Sequence, residues 1–356
     1  MNLFLLFLLS TLPLLANSSL IDKALSKGLK SSPTTLEDLK RKVDDLKNPI
    51  SVEKILLGKK LFFDKNLSKD RTISCASCHD LQKGGEDSKP TAVGYLKQEN
   101  PSHLNTPTVL NTAYSKHLFW DGRASSLREQ AKGPMQAHFE MASTPELVQE
   151  RVKEKPEYVT AFNTIFGNDS ITFENITMAI AVYEKTLITR GRYDDFLDGD
   201  TQALNAEEKR GLNLFIDMGC KGCHFGPAIG GQRIQKFPLR DYNSFLNLTT
   251  TFNEKTKGRS VKDISFNFEM YHPYPFENRG GFMGKDGERN FRVPILRDIS
   301  KTAPYFHNGV VKTLRESIKI MSKNQLGVDM SEDQLDAMEA FLKSLDGELV
   351  DYYLSD

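Results

Sequence analysis

The four cysteines of this 356-residue chain all lie in two short strings, Cys75-Ala-Ser-Cys78-His79 and Cys220-Lys-Gly-Cys223-His224. Cys-x-x-Cys-His is the attachment signature of c-type haem. The two thiols add across the haem vinyl groups, and the adjacent imidazole supplies one axial nitrogen to iron. The competing readings are zinc and paired disulfides. A zinc site usually takes four ligands, and each string offers three nearby. Two strings with no cysteine left over therefore predict two covalently bound haem c groups, on His79 and on His224.

Covalent haem is attached outside the cytoplasm, and the start of the chain agrees with export. Met1 to Ala16 is a short apolar run, too short for a comfortable membrane span but suited to a signal-peptide core. It lacks an early Lys or Arg, so an uncleaved N-terminal anchor is the alternative. Residues 1–19 are expected to be this segment, and the location expected is the periplasm. Charges balance at 47 against 47, and no long basic run is present, so nothing points to nucleic acid. The remaining roughly 340 residues are enough for two domains with real cores.

Those domains repeat one another. Gly58-Lys-Lys-Leu61-Phe62-Phe-Asp64 precedes the first haem string, and Gly211-Leu-Asn-Leu214-Phe215-Ile-Asp217 precedes the second. Downstream, Phe119-Trp120-Asp121-Gly122 and Leu127-Arg128-Glu129 match Phe306-His307-Asn308-Gly309 and Leu314-Arg315-Glu316. Pro107 and Pro294 share that offset, 187 residues apart. Each half is one haem-binding unit, built twice.

The elements read mainly as helix, with few strands. Asn205 with Glu208, and Ser331 with Gln334, are capping pairs that open helices. Gly219 ends the first of these just before Cys220. Phe173, Ile176, Ile180, Tyr183 and Leu187 recur at helical spacing and read as plain core. The polar, Gly-punctuated stretch Arg190 to Gln202 reads as the domain boundary. It gives an N-terminal haem domain at 20–190 and a C-terminal haem domain at 191–356. An insertion from about Gln235 to Asp286, rich in Phe, Tyr, Pro and Gly, reads as ordered loops.

The two halves differ at the sixth iron position. Met321 lies fourteen residues after His307. Its thioether suits ferrous haem and raises the reduction potential relative to two imidazoles. The common offset carries Met321 back onto Pro134, which has no donor, although Met135 stands one residue away. A six-coordinate haem passes electrons, and an open one activates a small oxygen species. The asymmetry predicts a His224/Met321 haem that collects electrons and a His79 haem that does chemistry. Near Pro134 stand Gln130, His138 and Glu140. A carboxylate over iron moves the proton that peroxide cleavage requires, and an amide orients the peroxide. A lone Glu is otherwise most often a solvated charge.

Several strings together resemble the bacterial di-haem cytochrome c peroxidases. They are Leu61-Phe-Phe-Asp64, Ser74 to His79, Asn105-Thr-Pro107-Thr-Val-Leu-Asn111, Phe119-Trp120-Asp121-Gly122-Arg123, Gln130-Ala-Lys-Gly-Pro134, Glu140-Met141, Thr302-Ala-Pro304-Tyr-Phe-His307, and Met321 with Gln325-Leu-Gly327. The match runs in order from about Leu56 to Leu345. The resemblance implies a peroxidatic, low-potential haem on His79 and a high-potential haem on His224 and Met321. It implies hydrogen peroxide as substrate and a small cytochrome c or similar redox protein as donor. Trp120 would help electrons cross between the haems, and Glu140 with Gln130 would be the distal catalytic pair. It further implies one calcium ion held with help from Asn105, Thr302 and Pro304, whose amide and carbonyl oxygens suit a hard cation. A homodimer is the usual assembly of that family.

Two departures stand out. Where many members carry Asn-Pro before the catalytic Glu, this chain has Ala137-His138, with His138 expected to point outward. Where many carry a loop His that ligates the first haem, this chain reads Val93-Gly94-Tyr95-Leu96-Lys97, and His103 is the nearest imidazole. Tyr95, His103 or Met135 as a sixth ligand would favour the alternative reading, an electron-transfer or redox-sensing cytochrome. The related di-haem enzymes that oxidise tryptophan in a partner have Tyr where Met321 stands.

Overall fold

The computed structural model describes residues 20–239 and 274–353. The expected signal segment at 1–19 lies outside these, as does most of the insertion, at 240–273. The described residues are mainly helical, as the sequence predicts, with two small two-stranded sheets. None of the described helices is long and apolar enough to cross a membrane.

Each half is built on one close helix pair. In the first half, Val52–Phe63 packs on Phe173–Lys185. In the second, Ala206–Asp217 packs on Glu332–Lys343. The helices start where short polar side chains satisfy orphan amides. Ser51 and Thr172 cap the first pair, and capping boxes at Asn205 and Ser331 open the second. Both crossings are close because a glycine stands at the contact. A Cβ on Gly58 would run into the Ala179 carbonyl oxygen, and one on Gly211 into that of Ala337.

Apolar faces on these pairs form two cores. Leu61, Phe62, Ile176, Ile180 and Tyr183 belong to the first. Leu212, Phe215, Leu335, Met338 and Phe341 belong to the second. The second core also takes in Ile21, Ala24 and Leu29 from the first described residues. In return, strand Thr189–Arg190 pairs antiparallel with Glu348–Leu349 near the chain's end.

The stretch Arg190 to Gln202 is not a free connection. It carries the short helix Arg192–Leu197, whose Tyr193 and Phe196 are fully buried in the second core. Its polar Asp194 is also buried, held by both terminal nitrogens of Arg297 at 2.6 and 2.8 Å. A partner 103 residues away leaves no local signal.

The duplication is visible residue by residue. Asn111 and Asp298 both adopt the left-handed region, with φ of 60° and 58°. Their side chains meet at 3.5 Å (Nδ2 to Oδ2). Phe119 and Phe306 repeat the match at φ 65° and 67°. Isolated bridges Leu118 to Ala124 and Tyr305 to Val311 close the same loop in each half. Ser126 and Thr313 then cap the matching helices Leu127–Gln136 and Leu314–Met321, each accepting at 3.2 Å from the third amide on.

Candidate active site and haem-binding residues

Cys75–Cys78 forms a single helical turn, with His79 as its C-cap. Residues at i, i+3 and i+4 share a helix face, so both thiols and the imidazole emerge together. His79 Nδ1 lies 3.0 Å from the Gly85 carbonyl oxygen. In the second string, His224 Nδ1 lies 3.3 Å from the Ile229 carbonyl oxygen. A carbonyl accepts only from N–H, so each ring carries its proton on Nδ1 and leaves Nε2 to a metal. Burial holds both imidazoles below their usual range, His224 at about 4, which keeps them neutral as a ligand must be. None of the four cysteines forms a disulfide, and burial pushes the Cys78 and Cys220 thiols up to about 11.

The second string opens onto a cavity of about 240 Å³. Cys220, Cys223, His224 and Met321 all line it. Met321 closes the helix Leu314–Met321 and precedes a π-helical turn, Ser322–Leu326, of the kind often found at functional positions. Two anchoring thiols, a metal-ready imidazole and a thioether around one largely apolar space fit a covalently bound haem.

The surroundings of the first string differ. Met135 is buried within the first core, only 1% exposed, and the partly buried Cys75 packs against that same core. Pro134 lies inside the helix Leu127–Gln136. The chain then folds back on this helix, Met141 N–H donating to Pro134 O and Ser143 N–H to Met135 O. That turn returns Glu140 to the haem string. Its charge acts on the Cys78 thiol. Burial raises the Glu140 carboxyl, and the Arg123 guanidinium partly offsets this. Gln130 sits half-buried on the same helix as Pro134, and among the described residues it makes no hydrogen bond to Glu140. His138 is exposed, stacked edge-on against Phe139.

The loop carrying Tyr95 is tied to Glu140. Tyr95 N–H donates to the Glu140 carbonyl oxygen at 2.7 Å. Gly94 permits the approach, since a Cβ there would collide with Phe139 O and Glu140 Cα. His103 instead stands 3.5 Å from Glu99 Oε2 and against Gly280.

Trp120, Asn105, Thr302 and Pro304 all border the second cavity. Trp120 Nε1–H donates to the Asn105 carbonyl oxygen at 2.8 Å, and Asn105 Nδ2 donates to Lys89 O at 2.8 Å. Among the described residues no group of three or more His, Cys, Asp or Glu could hold a metal.

Two buried groups went unremarked in the sequence. Glu184, on Phe173–Lys185, is desolvated to about 8 and acts on the Cys75 thiol. Arg292 is buried on the wall of the second cavity. Neither belongs to a motif; Glu184 sits in an apolar helical stripe and Arg292 in a short strand.

Comparison with known proteins agrees with this geometry. The family model described as di-haem cytochrome c peroxidase matches residues 52–202. The cytochrome c551 peroxidase of Nitrosomonas europaea is 39% identical over 308 residues, 86% of this chain and 84% of that protein. That of Pseudomonas aeruginosa is 40% identical over 305 residues, 84% of this chain and 80% of that one. Among solved structures, a MauG-like protein associated with microbial copper homeostasis superposes with a TM-score of 0.68 at 25% identity, covering 86% of this chain and 93% of its own. The chain belongs to the di-haem cytochrome c peroxidase family.

Proposed function

We propose that this protein reduces hydrogen peroxide to water with electrons from a small cytochrome c or similar redox protein. Each peroxide takes two electrons and two protons and yields two waters. The observation that carries the division of labour is the unequal surroundings of the two strings. Met321 opens on the same cavity as His224, while the Glu140 carbonyl accepts from Tyr95 N–H at 2.7 Å, on the loop whose Val93 carbonyl lies 3.9 Å from Cys78 Sγ.

In this reading Cys220, Cys223, His224 and Met321 hold the electron-accepting haem in the C-terminal domain, 191–356. Cys75, Cys78 and His79 hold the peroxidatic haem in the N-terminal domain, 20–190. When bound there, haem supplies the iron at which the peroxide O–O bond is broken. Glu140 takes a proton from the inner peroxide oxygen and delivers it to the outer, leaving oxygen. Its partial burial supports this, because a carboxyl held above its usual range gives up and accepts protons closer to neutral pH. Gln130 orients the peroxide as donor. Trp120, between the two halves, carries electrons across. Asn105, Thr302 and Pro304 hold one calcium ion; the Asn105 amide gives its N–H to Lys89 O, which leaves its oxygen for the cation. The mature protein is periplasmic, exported by its N-terminal segment, and acts as a homodimer.

The test is Glu140→Gln in the protein carrying both haems. Peroxide-dependent oxidation of reduced cytochrome c should fall by roughly 10²-fold or more, with both haem absorbances intact. Parental turnover in that variant would remove Glu140 from the chemistry.

A further inference from the structure

Among the described residues two arginines are almost completely buried, Arg297 at 1% and Arg292 at 3% exposure. Arg297 shows how the fold treats a structural one: Asp194 grips it at 2.6 and 2.8 Å, and burial leaves no charge unmatched. Arg292 is treated differently. Its Nε is sealed from solvent with no hydrogen-bond partner, and among the described residues no carboxylate pairs with it. Burial alone acts on it, bringing it down to about 10 and leaving it charged. An unpaired buried guanidinium is costly, and native folds do not keep one without a counter-ion.

Its position says where that counter-ion comes from. Arg292 ends strand Asn290–Arg292 and lines the same cavity as Cys220, His224 and Met321. Its backbone N–H donates to the Trp120 carbonyl oxygen at 2.8 Å, and its guanidinium lies 6.0 Å from the Trp120 ring centroid. The cavity wall is otherwise mainly apolar. A c-type haem fixed through its vinyl carbons keeps two propionate carboxylates, the only anions it brings. A planar guanidinium is suited to grip a carboxylate through two parallel hydrogen bonds.

We infer that Arg292 is the counter-ion of a propionate carboxylate of the haem held by Cys220, Cys223 and His224, and that it locks that haem's edge against Trp120. The inference rests on the haem reading of the second string. Arg292 is a positioning residue: it touches the tetrapyrrole's carboxylate and the bridging indole, not peroxide. A fixed positive charge beside the haem favours the reduced, more negative state, so it raises the reduction potential of this centre.

The test uses holoprotein of parent, Arg292→Gln and Arg292→Lys. Haem count by absorbance checks the underlying reading first: fewer than two haems in the parent would overturn that reading, and this inference with it. With two haems present, spectroelectrochemistry of each centre tests Arg292. The inference expects a lowered potential for the Met321-ligated haem in Arg292→Gln, most of it retained in Arg292→Lys, and no change at the other haem. Loss of the second haem from Arg292→Gln but not from Arg292→Lys would equally support it. An unchanged potential in Arg292→Gln, or loss of the haem from both variants, would assign Arg292 to packing against Trp120 and overturn it.

Discussion

Trp120 and His307 occupy the same place in the two repeats, and their rings meet edge to face, 6.5 Å apart at 72°. Asn105 N–H also donates to the His307 carbonyl oxygen at 2.8 Å. The duplicated loops therefore touch through their matched aromatic residues. The pair is unequal. His307 is buried among Phe291, Tyr274, Phe276 and Phe282, its Nε2 2.9 Å from Asn278 Oδ1, while Trp120 stays partly open on the cavity wall.

Trp120→Phe keeps an aromatic ring but loses the bond to the Asn105 carbonyl. Both haems should still be present. Electron transfer between them, followed after rapid reduction of the haem on the second string, should slow. Parental transfer in this variant would remove the indole from the path.

The Glu140 carboxylate is the proton-accepting form. Burial raises its pKa, so activity should fall as pH falls through a value above the ordinary carboxylate range. Arg123 pulls that pKa down. Arg123→Ala should therefore move the acid limb of kcat/KM to higher pH, and Glu140→Gln should abolish that limb. A limb that stays in place in Arg123→Ala would assign it to another group.

Met321→His exchanges a thioether for an imidazole on the same cavity. Two imidazoles lower a haem potential relative to His/Met. The second haem should become harder to reduce, and turnover should fall even though Glu140 is untouched. An unaltered potential would place Met321 in the apolar wall rather than on iron.

Asp194 and Arg297 are an ion pair with no solvent contact on either side chain. Breaking such a pair from one side leaves a buried charge and costs about 3–5 kcal/mol. Asp194→Ala should lower the thermal midpoint markedly without changing the haem spectra. Retained stability would mean that water reaches Arg297 in the variant.

Much of this architecture was legible in the sequence because the signals are local or repeated. The haem strings are five residues long, the capping boxes four, and the duplication supplies its own internal control. The helices that open at Asn205 and Ser331 follow from such signals. The sequence could not show that Arg190 to Gln202 packs into a core, because Asp194 depends on an arginine far along the chain. Arg292 was silent for a similar reason: its significance lies in having no partner, and only the packed cavity reveals that. Glu184 hides in an apolar helical stripe, where one acidic residue reads as an exposed edge. Met135 lies in the first core, against which Cys75 also packs, a neighbourhood that its one-residue offset from the repeat did not reveal.

The central claim is that the two haems are unequal, one a conduit and the other the site of chemistry. Absorption and magnetic spectra of the half-reduced protein test it most directly, recorded before and after one equivalent of peroxide. The account predicts a low-spin reduced haem with His224 and Met321, and a second haem that is high-spin and reacts with peroxide at once. Two low-spin haems that ignore peroxide would contradict it, and would make the protein an electron carrier.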